Sequence, residues 1–413
     1  MTGSGLGPTR ASGDKSEGNA AMNATESAAK ARRIRPINAL AWAATVLFCL
    51  IYAPMAIDYF SHGAYGAESS LWVRMFATLT DNGHALGTGS VEQMQQQPYQ
   101  RSHTEMWVHT AVGGVVILLA CLQFSDAVRT RYRRLHKLIG RVQVSLVVTG
   151  MVTAMLYLLN TGPAATYNGP AFYMQLWFLA AGTLSSSLLA VRAVLRGELA
   201  QHRRWMTMNF TLLLSAPMLR LLWIAYYQAN PTLTQLDTNY AAAITLGVLL
   251  VPIGFWATRL AAAPLPRGAA PPGLWSRAWS SAPWAVAGVV GAALCALSYQ
   301  HWVGAFSGHH SVLLGSALLV TLVMAAGWLR CEWRGHAPSA TIWRLQWQAA
   351  CLCPFALLAT WWAYAQFFPL YDAFFGAVMT APAGVFTLAF ARAGQVLSGT
   401  PAPVMRATTA ATA

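Results

Sequence analysis

Three histidines stand at comparable places in the first half of the chain, each beside residues that could support chemistry at a membrane boundary. The strings are Trp107-Val108-His109-Thr110-Ala111-Val112-Gly113-Gly114, His136-Lys137-Leu138-Ile139-Gly140-Arg141 and His202-Arg203-Arg204-Trp205-Met206. Paired axial imidazoles hold haem b in many helical bundles. His136 and His202 each precede an apolar stretch running in the same direction, so their rings could share one level and ligate one haem. Neighbouring arginines would then pair with its propionates. His109, Gln175 and Arg220 form a second constellation, at similar depths toward the opposite face. They could converge on an outward pocket for a quinone carbonyl or an anionic small molecule. An arginine within a span invites a functional reading, because even lenient insertion scales charge about 2.5 to 3.5 kcal/mol at mid-membrane. Plainer roles also exist. Histidines beside Arg and Trp anchor helix ends among headgroups, and Arg220 lies shallow enough to snorkel. No carboxylate or cysteine accompanies these histidines at ligand spacing, so no non-haem metal site is read here.

The elements that must position these residues follow from composition. Hydrophobic residues make up 56% of the 413 and charged residues 10%, against about 25% charged in an ordinary soluble domain. With 17 Trp, 14 Tyr and 16 Phe, a soluble globule would expose far more apolar surface than monomers tolerate. A soluble enzyme is excluded. The net charge of +14 does not mark a nucleic-acid partner, because the basic residues lie in short runs between apolar segments rather than on one solvated face. Cysteines at 49, 121, 295, 331, 351 and 353 lie inside or beside apolar runs and read as small packing residues.

Apolar stretches occur at about 37–60, 106–124, 138–159, 171–191, 205–227, 239–258, 282–303, 311–329, 345–367 and 377–397. Each is long enough to cross about 30 Å of hydrocarbon at 1.5 Å per residue. The first reads as a retained helix rather than a cleaved leader. The expected fold is therefore all-α: a polytopic integral membrane bundle of about ten transmembrane helices, with both termini cytoplasmic. Charge tests that count independently of hydropathy. If every stretch crosses and the tail is inside, 24 of the 27 Lys and Arg fall inside, Arg74 and Arg101 fall outside, and Arg220 lies within a span. Every inner connection then obeys the positive-inside rule, and the host is a bacterial inner membrane.

Domain organisation follows the same pattern. Residues 1–35 have the composition of a disordered cytoplasmic tail, and 36–260 form a six-span front part. A cytoplasmic linker rich in Ala, Pro and Gly covers 261–281, a four-span rear part covers 282–398, and 399–413 is a second disordered tail. In the outer loop of about 61–105, Leu71, Trp72, Met75, Phe76 and Leu79 make an amphipathic stripe. The simpler reading lays that helix flat on the membrane face; the other makes it the cap of a cavity.

The histidine strings, with Gln123-Phe124 closing the second span and Leu219-Arg220 late in the fifth, resemble the bacterial membrane-protein family called domain of unknown function 2306. The resemblance covers about residues 105–227, with Lys137 where the pattern leads one to expect Arg and Gln143 where an aromatic residue is usual. It implies a multispan membrane protein with His and Arg at the motif positions, and it assigns no reaction.

No Walker-type phosphate loop is present, and no carboxylate sits mid-span, where proton-driven carriers usually place one. The leading reading is a redox or cofactor-binding protein, holding haem or quinone in the lipid bilayer. The alternative is a secondary transporter or lipid-binding module without its own ATPase.

Overall fold

A computed structural model describes residues 40, 42–61, 70–250, 252, 254, 274–335 and 337–398. Both tails and most of the linker named above lie outside these. The chain divides into two units, 1–52 and 53–413. Described residues of the first are helical, as the start of α1 (Trp42–Asp58).

The second unit is helical throughout its described elements. Four short helices, α2 (Leu71–Leu79), α3 (Asn82–Leu86), α4 (Val91–Met94) and α5 (Gln96–Arg101), precede α6 (His103–Gln123). Then follow α7 (Asp126–Arg131), α8 (Arg133–Ala165), α9 (Gly169–Leu195), α10 (Leu199–Leu213), α11 (Ser215–Ala229) and α12 (Gln235–Thr245), which continues as a π-helix, Leu246–Leu250. The rear part contributes α13 (Leu274–Trp302), α14 (Gly308–Trp333), α15 (Ala337–Tyr364) and α16 (Leu370–Ser398).

The all-α membrane reading stands, but seven rather than ten helical segments among the described residues are both long and apolar enough to cross. The other three differ for local reasons. Trp42–Asp58 is shorter. In α15, Gln346, Gln348 and the tryptophans between and beyond them dilute the hydropathy, and beyond the π-helix the sixth stretch passes largely outside the described residues.

Breaks between helices fall where the sequence removes or bends a backbone bond. Gly162 takes φ 71° immediately before Pro163, which lacks an N–H and pushes its predecessor out of the α region. Asn168 and Gly169 also have positive φ, and Pro170 then opens α9 where its missing donor is harmless. Leu214 interrupts the fifth span three residues before Pro217, and the Ser215 hydroxyl donates to the Leu212 carbonyl at 2.6 Å.

Short connections make neighbours antiparallel, so the bundle has two chemically different ends. One, the cap end, is covered by α2 to α5. The other, the basic end, carries Arg129, Arg131, Arg133, Arg134, Arg203 and Arg204 among its cations. Front and rear parts share one interior: α9 packs on α16, and α12 packs on α14. A core near the cap end joins Phe76, Trp223, Ile244, Tyr299, Trp361 and Phe375. A second joins Met208, Leu212, Met324, Trp328, Trp347 and Phe386. At Gly247 in the π-helix an added Cβ would stand 2.4 Å from the Met379 carbonyl oxygen of α16. Only glycine permits that approach.

Candidate functional site

At the basic end, the first turns of α8 and α10 bring the histidine pair into view. The His202 Nδ1 lies 2.9 Å from the Ala190 carbonyl oxygen on α9. A ring so held donates through Nδ1 and leaves Nε2 as its basic nitrogen, the arrangement that orients metal-ligating imidazoles. His136 lies within electrostatic range of both His202 and Arg129. Its Nδ1 is buried without a hydrogen-bond partner, as is the Nε of Arg204. Gln123, at the end of α6, donates to the His136 backbone carbonyl at 2.9 Å and fixes where α8 begins.

Arg220 sits on α11 near the cap end. Its guanidinium lies 5.9 Å from the Tyr59 ring centroid, 5.5 Å from Trp72 and 5.7 Å from Trp223. Rings at these distances attract the cation through their quadrupoles. Trp223 donates to Asn239 at 2.9 Å, and Tyr59 donates to the Glu92 carboxylate. Arg220 also lies within electrostatic range of His109 and Tyr99. The other two members of the predicted outer group have separate partners. His109 Nδ1 is 2.8 Å from the Gly150 carbonyl oxygen of α8. Gln175 is buried, and its Nε2 donates to the Ala243 carbonyl of α12 at 2.8 Å. His109 and Arg220 are thus brought near one another, while Gln175 faces α12.

The aromatic side of the amphipathic stripe turns inward, while Leu71 and Leu79 stay exposed. Trp72, Val73 and Phe76 are buried, and Trp72 stacks on Phe76 at 5.2 Å and meets Trp223 at 6.3 Å. Burying this aromatic face against α11 keeps it from both water and headgroups. The cap is latched by residues that carried no motif in the sequence. Asp81 accepts from the His84 backbone N–H at 2.7 Å and from the Tyr227 hydroxyl. Gln228 donates to the Leu79 carbonyl at 2.6 Å, and Gln235 accepts from the Val91 N–H at 2.9 Å. The His84 ring lies 4.6 Å from that of Tyr227, and burial lowers its pKa from the ordinary 6.5. The Tyr227 hydroxyl, then the His84 N–H, hold the Asp81 carboxyl below its usual 3.8. A cleft of about 390 Å³ runs over the cap between Val73, Arg74, Asn82 and Leu86. None of the predicted site residues lines it.

Sequence reasoning also passed over a cluster between the front and rear parts at the cap end. His309 on α14 has its Nδ1 3.2 Å from the Tyr371 hydroxyl and its Nε2 3.8 Å from an Asp237 carboxylate oxygen. The Tyr240 ring lies 4.5 Å away. These residues lie far apart in the chain, so no spacing announces them. Among the described residues no three His, Cys, Asp or Glu side chains gather as a metal-holding group.

The arrangement across α6 to α12 is a three-histidine, one-arginine pattern with a latched cap, and it coincides with a known family segment. Residues 106–256 match the family described as Predicted membrane protein (DUF2306). This family segment holds His109, His136, Gln175, His202 and Arg220. The covering helices and the rear part lie outside it, so Trp72, Tyr59 and His309 reach the family segment from beyond its bounds. No curated protein and no solved structure matches the chain.

Proposed function

We propose that this is a haem b binding protein of a bacterial inner membrane, its basic end toward the cytoplasm, with His136 and His202 the residues that would hold the group. One observation carries the reading. His202 is oriented through Nδ1 by the Ala190 carbonyl, while His136, within electrostatic range of it, keeps its Nδ1 buried with no partner. Left so, that nitrogen carries a desolvation cost without return; with Nε2 on the metal, its N–H would be free to donate to a haem propionate. Arg129 and Arg204 are suitably placed cations for propionates. When bound, haem would supply one-electron transfer. The residues themselves set the His202 tautomer through the Ala190 carbonyl and bring basic side chains to the site.

The test is a reduced-minus-oxidised spectrum of purified protein. A b-type difference spectrum is expected, lost in His136→Ala and in His202→Ala and retained in His109→Ala. A colourless preparation from haem-replete cells overturns the reading in favour of a transporter or lipid-binding module.

A second reading is favoured by the aromatic box at Arg220. Three rings hold the planar guanidinium in place, and such a fork can pair with two oxygens. His109 and Arg220 would then take a quinone carbonyl or an anionic headgroup from the outer side.

A further inference from the structure

The positive-inside rule asks only for Lys and Arg in the connections between spans. The start of α8 goes further. Arg133, Arg134, Lys137 and Arg141 are all exposed and follow one another from residue 133 to residue 141 of that helix, about 12 Å along its axis. No acid occurs between Asp126 and Glu198. Other connections at the basic end differ, since Glu198 separates Arg196 from Arg203 and Glu332 separates Arg330 from Arg334. Among the described residues no carboxylate lies within ion-pairing distance of the four cations.

At about 100° per residue, these first turns of α8 divide into three faces. Arg133, Lys137 and Arg141 follow at i+4 steps, with Arg134 beside them. Leu135, Leu138 and Val142 make the adjoining face and are 45%, 59% and 43% exposed. The third face turns inward: Gln143 and Val147 are buried, and His136 is half-buried. A row of cations thus runs beside a row of exposed apolar side chains, and both point away from the bundle. Tyr132, just before α8, is also exposed, and the Arg131 guanidinium lies 5.6 Å from its ring centroid. Tyrosines of this kind sit at headgroup level, which sets the top of the cationic row among the phosphates.

We propose that this face of α8 binds an anionic phospholipid of the leaflet that the basic end meets. Its phosphate is held by Lys137 and Arg141 with the arginines above them, and its acyl chains lie along Leu135, Leu138 and Val142. Each requirement of such a lipid has a counterpart. The guanidinium forks pair with two phosphate oxygens, and Lys137 adds a point charge. The long stems of Lys137 and Arg141 let charges rooted at greater depth reach back to headgroup level, so the row closes on one phosphate. Basic clusters immediately beside a span attract anionic lipids in this way. The site shares no residue with the haem pair, Arg129 or Arg204, so the two readings fail separately.

The test titrates phosphatidylglycerol or phosphatidylcholine onto the purified full chain in detergent and counts bound lipid by native mass spectrometry. Phosphatidylglycerol should bind at least about tenfold more tightly, and added salt should narrow the gap. Lys137→Gln combined with Arg141→Gln should weaken it about 25-fold, about fivefold for each cation removed. Arg330→Gln combined with Arg334→Gln takes the same charge from another connection at this end and should leave the affinity unchanged. Lys137→Arg should retain binding. Monodisperse elution checks the fold of each variant. Equal binding of the two lipids overturns the proposal, as does unchanged affinity in the folded Lys137 and Arg141 variant, or an equal loss in the Arg330 and Arg334 variant. Displacement of the lipid by inorganic phosphate at the same concentration also overturns it, because a bare anion would then suffice.

Discussion

The two ends of the bundle solve opposite problems. At the cap end, hydrogen bonds run between elements distant in sequence: Tyr227 to Asp81, Val91 to Gln235, Tyr167 to Gly89, and Asn168 to Leu236. Aromatic rings fill the spaces between them. At the basic end, cations crowd the first turns of α8 and α10, and polar atoms such as His136 Nδ1 and Arg204 Nε lack protein partners. One end is tied down by bonds between elements remote in sequence, and the other gathers positive charge. The bonds that hold the covering helices down therefore lie apart from the cations of the basic end.

The largest way to break this contrast is to pry the cap-side core apart. Gly247→Val should force the π-helix off α16, since even a Cβ would meet the Met379 carbonyl at 2.4 Å. Overpacking of this kind costs about 1 to 3 kcal/mol or more. Thermal unfolding of the purified variant should begin well below that of the wild type, and an unchanged midpoint would mean that α12 and α16 can separate freely.

A smaller effect is expected at Arg220. Arg220→Ala removes the cation from three rings, each such contact being worth about 0.5 to 1 kcal/mol at exposed sites. Arg220→Lys should restore the charge but not the planar stacking, and so recover only part of the loss. Limited proteolysis of the α2 segment would rank the three proteins. Equal cleavage would show that the rings hold without the cation.

The smallest effect is one of pH. Burial holds His84 below its ordinary pKa of 6.5, so the unfolded imidazole takes up a proton before the folded one does. The latch contribution is therefore full above 6.5 and declines as the pH falls from there toward the folded value. Asp81, held below 3.8, contributes above its unfolded value and loses that contribution only in stronger acid. Relative to the intrinsic rate at each pH, amide exchange in residues 71–86 should speed up below pH 6.5 while that of the basic end stays unchanged, and His84→Gln should remove that step. Acceleration at both ends together would mean that the cap is no separate unit.

Much of the molecule was legible from sequence because membrane physics is local. Long apolar runs, basic connections and Pro or Gly breaks declare themselves one segment at a time, and the family strings around His109, His136 and His202 could be read in the same way. The α2 stripe shows the limit: its period gave a helix with one apolar face, but only the position of Trp223 made that face inward. Gln175 shows it again, since depth alone grouped it with Arg220 whereas the facing carbonyl of Ala243 turned it toward α12.

The sequence by itself determined that this chain is a helical membrane protein with a strongly basic side, because hydrophobic length and charge placement do not depend on distant partners. Only the tertiary structure decided which polar groups meet. Asp81 and Tyr227, Asp237 and His309, and Gln175 and Ala243 are joined by helix packing across large separations, and no spacing along the chain encodes a meeting of that kind.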